Sequence, residues 1–120
     1  MEKTYKEIPS QYNVGWTTIE VKMVERCDNN CVGMSFTCSG KIEIADTYNK
    51  DDKQSESSKK NTFYHEMVHT ILDTMGEDKL NGNEKFVSCF SSFLTEAMAN
   101  AVFIENKEEI EHETTRFIEQ

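Results

Sequence analysis

The sequence predicts a single α+β domain in which a small three-stranded antiparallel sheet packs on two or three helices. Three observations lead there. Apolar residues alternate with polar ones between Trp16 and Ala45, the period of half-buried strands. From Thr62 onward the apolar spacing changes to three and four residues, the period of amphipathic helices. The chain has 120 residues and is 37% hydrophobic, enough for one core and too little for two.

Residues 1–15 are polar, hold the only proline, and read as an entry segment. In the first strand Ile19, Val21 and Met23 point one way and Thr18, Glu20 and Lys22 the other. Cys27-Asp28-Asn29-Asn30 is turn chemistry. Val32, Met34 and Phe36 alternate with Gly33 and Ser35 as a second strand, and Cys38-Ser39-Gly40 makes a short turn. Ile42 and Ile44 mark a third strand. Three short strands with one apolar face each need a covering layer.

Residues 46–60 are almost wholly polar and read as a long loop. The first helix follows, with Met67, Val68, Ile71, Leu72 and Met75 as its apolar stripe and Gly76 as its stop. A polar connection, 77–82, leads to Asn83, a good N-cap. Phe86, Val87, Phe90, Phe93, Leu94, Ala97 and Ala101 mark one face of the second helix, whose pattern extends towards Ile104. The acidic segment 105–120 is either a third helix or an extension.

Charge and composition exclude several functions. Thirteen basic against 22 acidic residues give a net charge of −9. A nucleic-acid binder needs a basic face, so no nucleic-acid partner is expected. No apolar run is long enough to span a bilayer, and no electrostatic attraction to an anionic membrane exists. The N-terminus lacks the apolar core of a secretory signal, so a cytoplasmic setting with Cys27, Cys31, Cys38 and Cys89 as free thiols is the expectation. Cys27, Cys31 and Cys38 cluster, but a structural zinc site wants four ligands and no histidine is near them.

The string that carries chemistry is His65-Glu66-Met67-Val68-His69, an HExxH motif within the first helix. Positions i and i+4 lie about 40° apart on the wheel and one turn apart along the axis, so two imidazoles can grip one ion. Glu66 projects beside them, where its carboxylate reaches a water on the metal. Zinc is the expected metal, with His65 and His69 as ligands and Glu66 as the catalytic base. Glu84 is the preferred third ligand, because it opens the second helix at the margin of that helix's apolar face. Glu77, Glu96 and His112 are the fallbacks. The histidine that a metzincin carries six residues after the second motif histidine is absent, since Met75 stands there.

Thr62-Phe63-Tyr64-His65-Glu66-Met67-Val68-His69 with Asn83-Glu84-Lys85-Phe86-Val87 resembles the small gluzincin metallopeptidases, of the phage and bacterial ImmA/IrrE-like and minigluzincin types. The resemblance covers about half the chain, from Gly40 through the second helix. It implies an antiparallel sheet over the active-site helix, with Gly40–Ala45 as the edge strand that lines the cleft and pairs with extended substrate. Larger gluzincins place Asp four residues after the ligand Glu, to support a zinc histidine; here that position is Ser88, with Asp73 as a substitute. No dedicated oxyanion donor stands out beyond Tyr48.

The expected function is therefore a zinc-dependent metallopeptidase acting on a peptide or protein substrate. A water in the fourth position attacks the peptide bond, Glu66 takes its proton, and the metal polarises the carbonyl. The alternative is a zinc-containing regulatory or protein-binding module of the same fold with little proteolysis. The sequence sets no oligomeric state.

Overall fold

A computed structural model describes residues 8–104. In chain order the elements are β1 (Gln11–Val14), β2 (Thr17–Val24), β3 (Gly33–Phe36), β4 (Lys41–Ala45), β5 (Thr47–Tyr48), β6 (Asp52–Lys53), α1 (Glu56–Met75), α2 (Asp78–Asn81) and α3 (Glu84–Asn100). The architecture is mixed α+β, as the sequence predicts. The sheet is not the three-stranded antiparallel one. Four strands pair in the order β1-β2-β4-β3, and β5 pairs with β6 in a separate ribbon.

The three predicted strands are β2, β3 and β4; the fourth, β1, comes from the polar entry segment. Only Tyr12 and Val14 of β1 face the core, too few apolar positions to signal a strand by periodicity. β1 pairs antiparallel with β2, with Tyr12 opposite Ile19. β2 and β4 are parallel, with Val21 opposite Ile42 and Met23 opposite Ile44. β3 returns antiparallel against the other side of β4, with Ser35 opposite Ile42. The chain thus leaves β2, passes to the far edge, and comes back through the middle.

Composition explains that order. Ile42, Ile44 and Ala45 have no exposed surface, so β4 takes the centre. β3 carries Gly33 and Ser35, small enough to lie close under a helix, and takes the edge. The expected edge strand, Gly40–Ala45, is therefore the interior one, and β3 stands where it was expected. The sheet core is Ile19, Ile42 and Ile44 against Phe63 of α1, with Tyr12, Val14, Val21, Tyr64 and Met67 around it.

The segment 46–60 is not a loop throughout. It holds the β5-β6 ribbon and the first residues of α1, which starts at Glu56 rather than near Thr62. Ser55 caps it by accepting a hydrogen bond from the Ser58 amide. Its first turns lack apolar residues because polar side chains fill the buried positions. Gln54 donates to the Ala45 carbonyl and accepts from the Ser58 and Thr62 hydroxyls. Lys59 reaches the Asp46 carboxylate at 2.7 Å. Periodicity of apolar residues cannot register such a network.

Gly76 ends α1 in the left-handed conformation, φ 75°, where a β-carbon is disfavoured. The connection beyond it contains the one-turn α2. Asn83 caps α3, accepting from the Phe86 amide. α3 ends at Asn100, short of Ile104, with Ala101 extended. Val68 and Leu72 of α1 bury against Val87 of α3, with Phe86 and Leu94 beside them. Segment 105–120, including His112, lies outside the described residues.

Because β4 lies between two strands with Ile42 and Ile44 fully buried, truncating it is expected to cost most. Ile44→Ala should lower unfolding free energy by about 2–5 kcal/mol. Met23→Ala, at the half-exposed end of β2, should cost less than about 1 kcal/mol. Urea unfolding of both variants checks the contrast.

Candidate metal centre

α1 contacts the sheet with one face and α3 with another. Phe63, Met67 and Thr70 turn to the sheet, where the Tyr12 hydroxyl meets Thr70 Oγ1 at 2.9 Å. Val68 and Leu72 turn to α3. On the wheel His65 and His69 fall between these faces, about 40° apart. They line the groove left where the two layers diverge.

Two turns of connection bring Glu84 back beside them. Its Oε2 lies 3.3 Å from His65 Nε2 and its Oε1 lies 3.1 Å from His69 Nε2. The three donor atoms all sit within 4.8 Å of one another, the one such group among the described residues. In a tetrahedral site with bonds of roughly 2.0–2.1 Å, adjacent ligand atoms are about 3.3 Å apart, and each Glu84 oxygen lies at about that distance from one of the ring nitrogens. Glu77 and Glu96, the fallback carboxylates, are not in the group. Cys27, Cys31 and Cys38 form no group of their own; all four cysteines are free thiols.

Asn81 supplies an unforeseen contact. Its Oδ1 lies 2.6 Å from His69 Nδ1. An amide oxygen only accepts, so Nδ1 carries the proton, and in the neutral tautomer this selects, the lone pair lies at Nε2. That lone pair faces a carboxylate oxygen at 3.1 Å. Two acceptors at this distance call for a cation between them, a ring proton or a metal ion. His65 is held below the usual imidazole pKa, chiefly by burial and also by His69, with Glu84 opposing. Its neutral form is the ligating one. Asp73, the substitute weighed for the supporting role, is exposed, as is Ser88 at the position where larger gluzincins carry Asp.

Glu66 is 7% exposed and lies against β3. Burial pushes its carboxyl up to about 7; His69 and the Ser35 hydroxyl pull it down, and Glu84 adds to the rise. Gly33 makes this possible. A β-carbon there would come within 2.4 Å of Thr62 Cγ2 and 3.1 Å of Glu66 Cγ. A glycine inside a strand signals such a close approach, and this one was legible as that. Asn81 had no comparable signal, since nothing in a polar connection marks which amide meets a histidine.

The cleft has a volume of about 530 Å³. Its far wall is the run from Cys31 to Ser35, and its floor is α1. Tyr48 lies in β5 and does not line it. No helix among the described residues is long and apolar enough to cross a membrane. Comparison with protein-family models, with characterised proteins and with solved structures finds no match to this chain.

The Glu66 environment has a measurable consequence in the metal-free protein. Its folded-state pKa, about 7, stands above the ordinary 4.5. Stability is then full below the unfolded pKa and falls as pH rises to the folded one, by on the order of 3 kcal/mol. Glu66→Gln lacks this loss. Urea unfolding at pH 5 and pH 8 should show the variant gaining on the parent by that order between the two; the opposite slope from His65 is common to both.

Proposed function

We propose that the protein is a zinc-dependent metallopeptidase in which His65, His69 and Glu84 hold the ion and Glu66 is the general base. The convergence of two imidazole nitrogens and one carboxylate beside an open cleft carries this reading. Three nitrogen and oxygen ligands with an open side are the donor set of catalytic rather than structural zinc. The chemistry zinc supplies in such a site is Lewis acidity towards a carbonyl and activation of water near neutral pH. The gluzincin-like HExxH and Asn-Glu motifs support the same reading.

The chain's own residues have separable tasks. Asn81 fixes the His69 ring and its tautomer. Glu66 sits beside the ligands without joining them; it takes a proton from the attacking water and returns it to the leaving amine. Burial makes it a stronger base than an exposed carboxylate, and a bound cation lowers its pKa from the metal-free value. β3 pairs only with β4 in the described sheet, so its outer edge offers backbone groups to an extended peptide beside the cleft. Peptides are therefore the proposed substrate class.

One observation favours the second reading, a zinc-containing regulatory or binding module. The cleft lining holds no tyrosine, lysine or arginine, and no histidine beyond the two ligands, to stabilise an oxyanion. Among the lining side chains only the neutral Asn61 amide and hydroxyls such as Ser35 are then left to assist a bound zinc with that charge, and turnover would be slow or absent.

Two experiments test the proposal. Glu84→Ala should weaken zinc binding by 100-fold or more (about 3 kcal/mol), Asn81→Ala by roughly 10–100-fold, and Glu77→Ala and Glu96→Ala hardly at all. Competition with a chromogenic chelator measures all four, and unchanged affinity in Glu84→Ala rejects the ligand set. In a peptide-library digest, zinc-loaded parent should cleave and Glu66→Gln, still zinc-loaded, should not. Zinc binding without cleavage by the parent favours the regulatory module.

A further inference from the structure

Asn61 lines the cleft one turn before His65, on the same side of α1. Its side chain is held from α3. Asn61 Oδ1 accepts from the Ser92 hydroxyl at 3.4 Å and from the Thr95 hydroxyl at 3.2 Å. Thr95 shares its proton with the Ser91 carbonyl at 2.6 Å, whereas Ser92 has no other acceptor among the described residues, so Ser92 orients the amide. With the oxygen on α3, the two N–H donors of Asn61 are left for the cleft, where no described residue accepts them. An amide already anchored at one end loses little freedom when a ligand takes the other.

The opposite wall sets what those donors meet. The Ala45 amide donates to the Val32 carbonyl at 2.9 Å, and Gly33 stands opposite Ile44. Hydrogen-bonded pairs alternate along an antiparallel ladder. Val32 and Met34 therefore turn their backbone groups to β4, and Gly33 and Ser35 turn theirs to the open edge. A peptide held by Gly33 and Ser35 uses the backbone groups of every second residue. Those of the residues between point away from β3, across the cleft towards the side of His65, Glu84 and Asn61.

We infer that Asn61 is a peptide-binding residue whose amide donates to the substrate main-chain carbonyl two residues from the scissile one. The inference rests on the metallopeptidase reading for the place of the scissile carbonyl. Spacing selects the partner. Carbonyls on one side of an extended chain recur at roughly 6.7 Å, two residues of about 3.3–3.4 Å each. Asn61 lies about 6 Å from His65 along α1, four residues of 1.5 Å, and helical side chains lean towards the N-terminus. The amide is thus a full strand repeat from the metal centre, too far for the scissile oxygen and in step with the next carbonyl on that side. This contact holds the ground state and the transition state alike, so its loss raises KM and leaves kcat within about twofold.

Calorimetric titration of the zinc-loaded Glu66→Gln chain tests the contact without cleavage. The ligand is a decapeptide that the zinc-loaded parent cleaves, with oxygen exchanged for sulfur, a weaker acceptor, at one carbonyl at a time. Sulfur two residues from the scissile carbonyl, on one side of it, should weaken binding by roughly threefold. Adding Asn61→Ala should weaken the unmodified peptide by roughly fivefold and abolish sensitivity to that sulfur. Asn61→Asp keeps an acceptor for α3 but has no donor, and should lose at least as much. Unchanged peptide affinity in both variants overturns the inference, as does a sulfur effect that persists in Asn61→Ala. Coupling confined to the scissile carbonyl also overturns it and makes Asn61 the oxyanion donor instead. A parent that cleaves no library peptide counts against the metallopeptidase reading alone. The same scan on a decapeptide selected from the library for binding then decides the contact: a sulfur effect that vanishes in Asn61→Ala supports it, and its absence, or the binding of no peptide at all, overturns it.

Discussion

The two-sided burial of α1 is the constraint on which the rest depends. One face must cover the sheet core through Phe63. Another, through Val68 and Leu72, must cover Val87 of α3. Both contacts are hydrophobic and non-directional, yet together they fix the rotation of the helix about its axis. That rotation leaves His65 and His69 at the groove between the layers. Their convergence on Glu84 follows from packing some distance away, not from any attraction between the ligands themselves. Moving either apolar face by one residue would turn both imidazoles by about 100°.

The candidate metal centre itself works against stability. Glu66 is a carboxylate in a place that favours its neutral form. His65 is likewise held towards neutrality by burial. Glu84 sets negative charge against ring nitrogens, one of which is left with a lone pair by the Asn81 contact. None of these choices improves the fold by itself. Taken together they describe a pocket with a place for one positive charge. Gly33 belongs to the same arrangement: its missing side chain lets β3 close over Glu66 and supply the Ser35 hydroxyl.

The sequence by itself determined the local elements and the chemical vocabulary. Alternation at Ile19-Val21-Met23 and Ile42-Ile44 marked strands because a pleated strand presents side chains to opposite faces. HExxH marked two candidate ligands and a candidate base because an α-helix places i and i+4 on one side. The Gly76 stop and the Asn83 cap were legible because each is a local backbone requirement. Glu84 followed from the same local rule, since a short connection returns the second helix beside the first.

Only the tertiary structure decided the rest, and the reason is that sheet order and polar contacts are long-range. β4 lies between β2 and β3 because its isoleucines, fully buried against Phe63, need a neighbouring strand on each edge, a competition among strands that no single strand reveals. That outcome moved the edge from Gly40–Ala45 to Gly33–Phe36. β1 and the first turns of α1 escaped notice because hydrogen bonds, through Tyr12 and Gln54, stand in for apolar surface there. Asn81 became the partner of His69 for a similar reason. An amide twelve residues away acquires meaning only when Gly76 and α2 fold it back to within 2.6 Å of the ring.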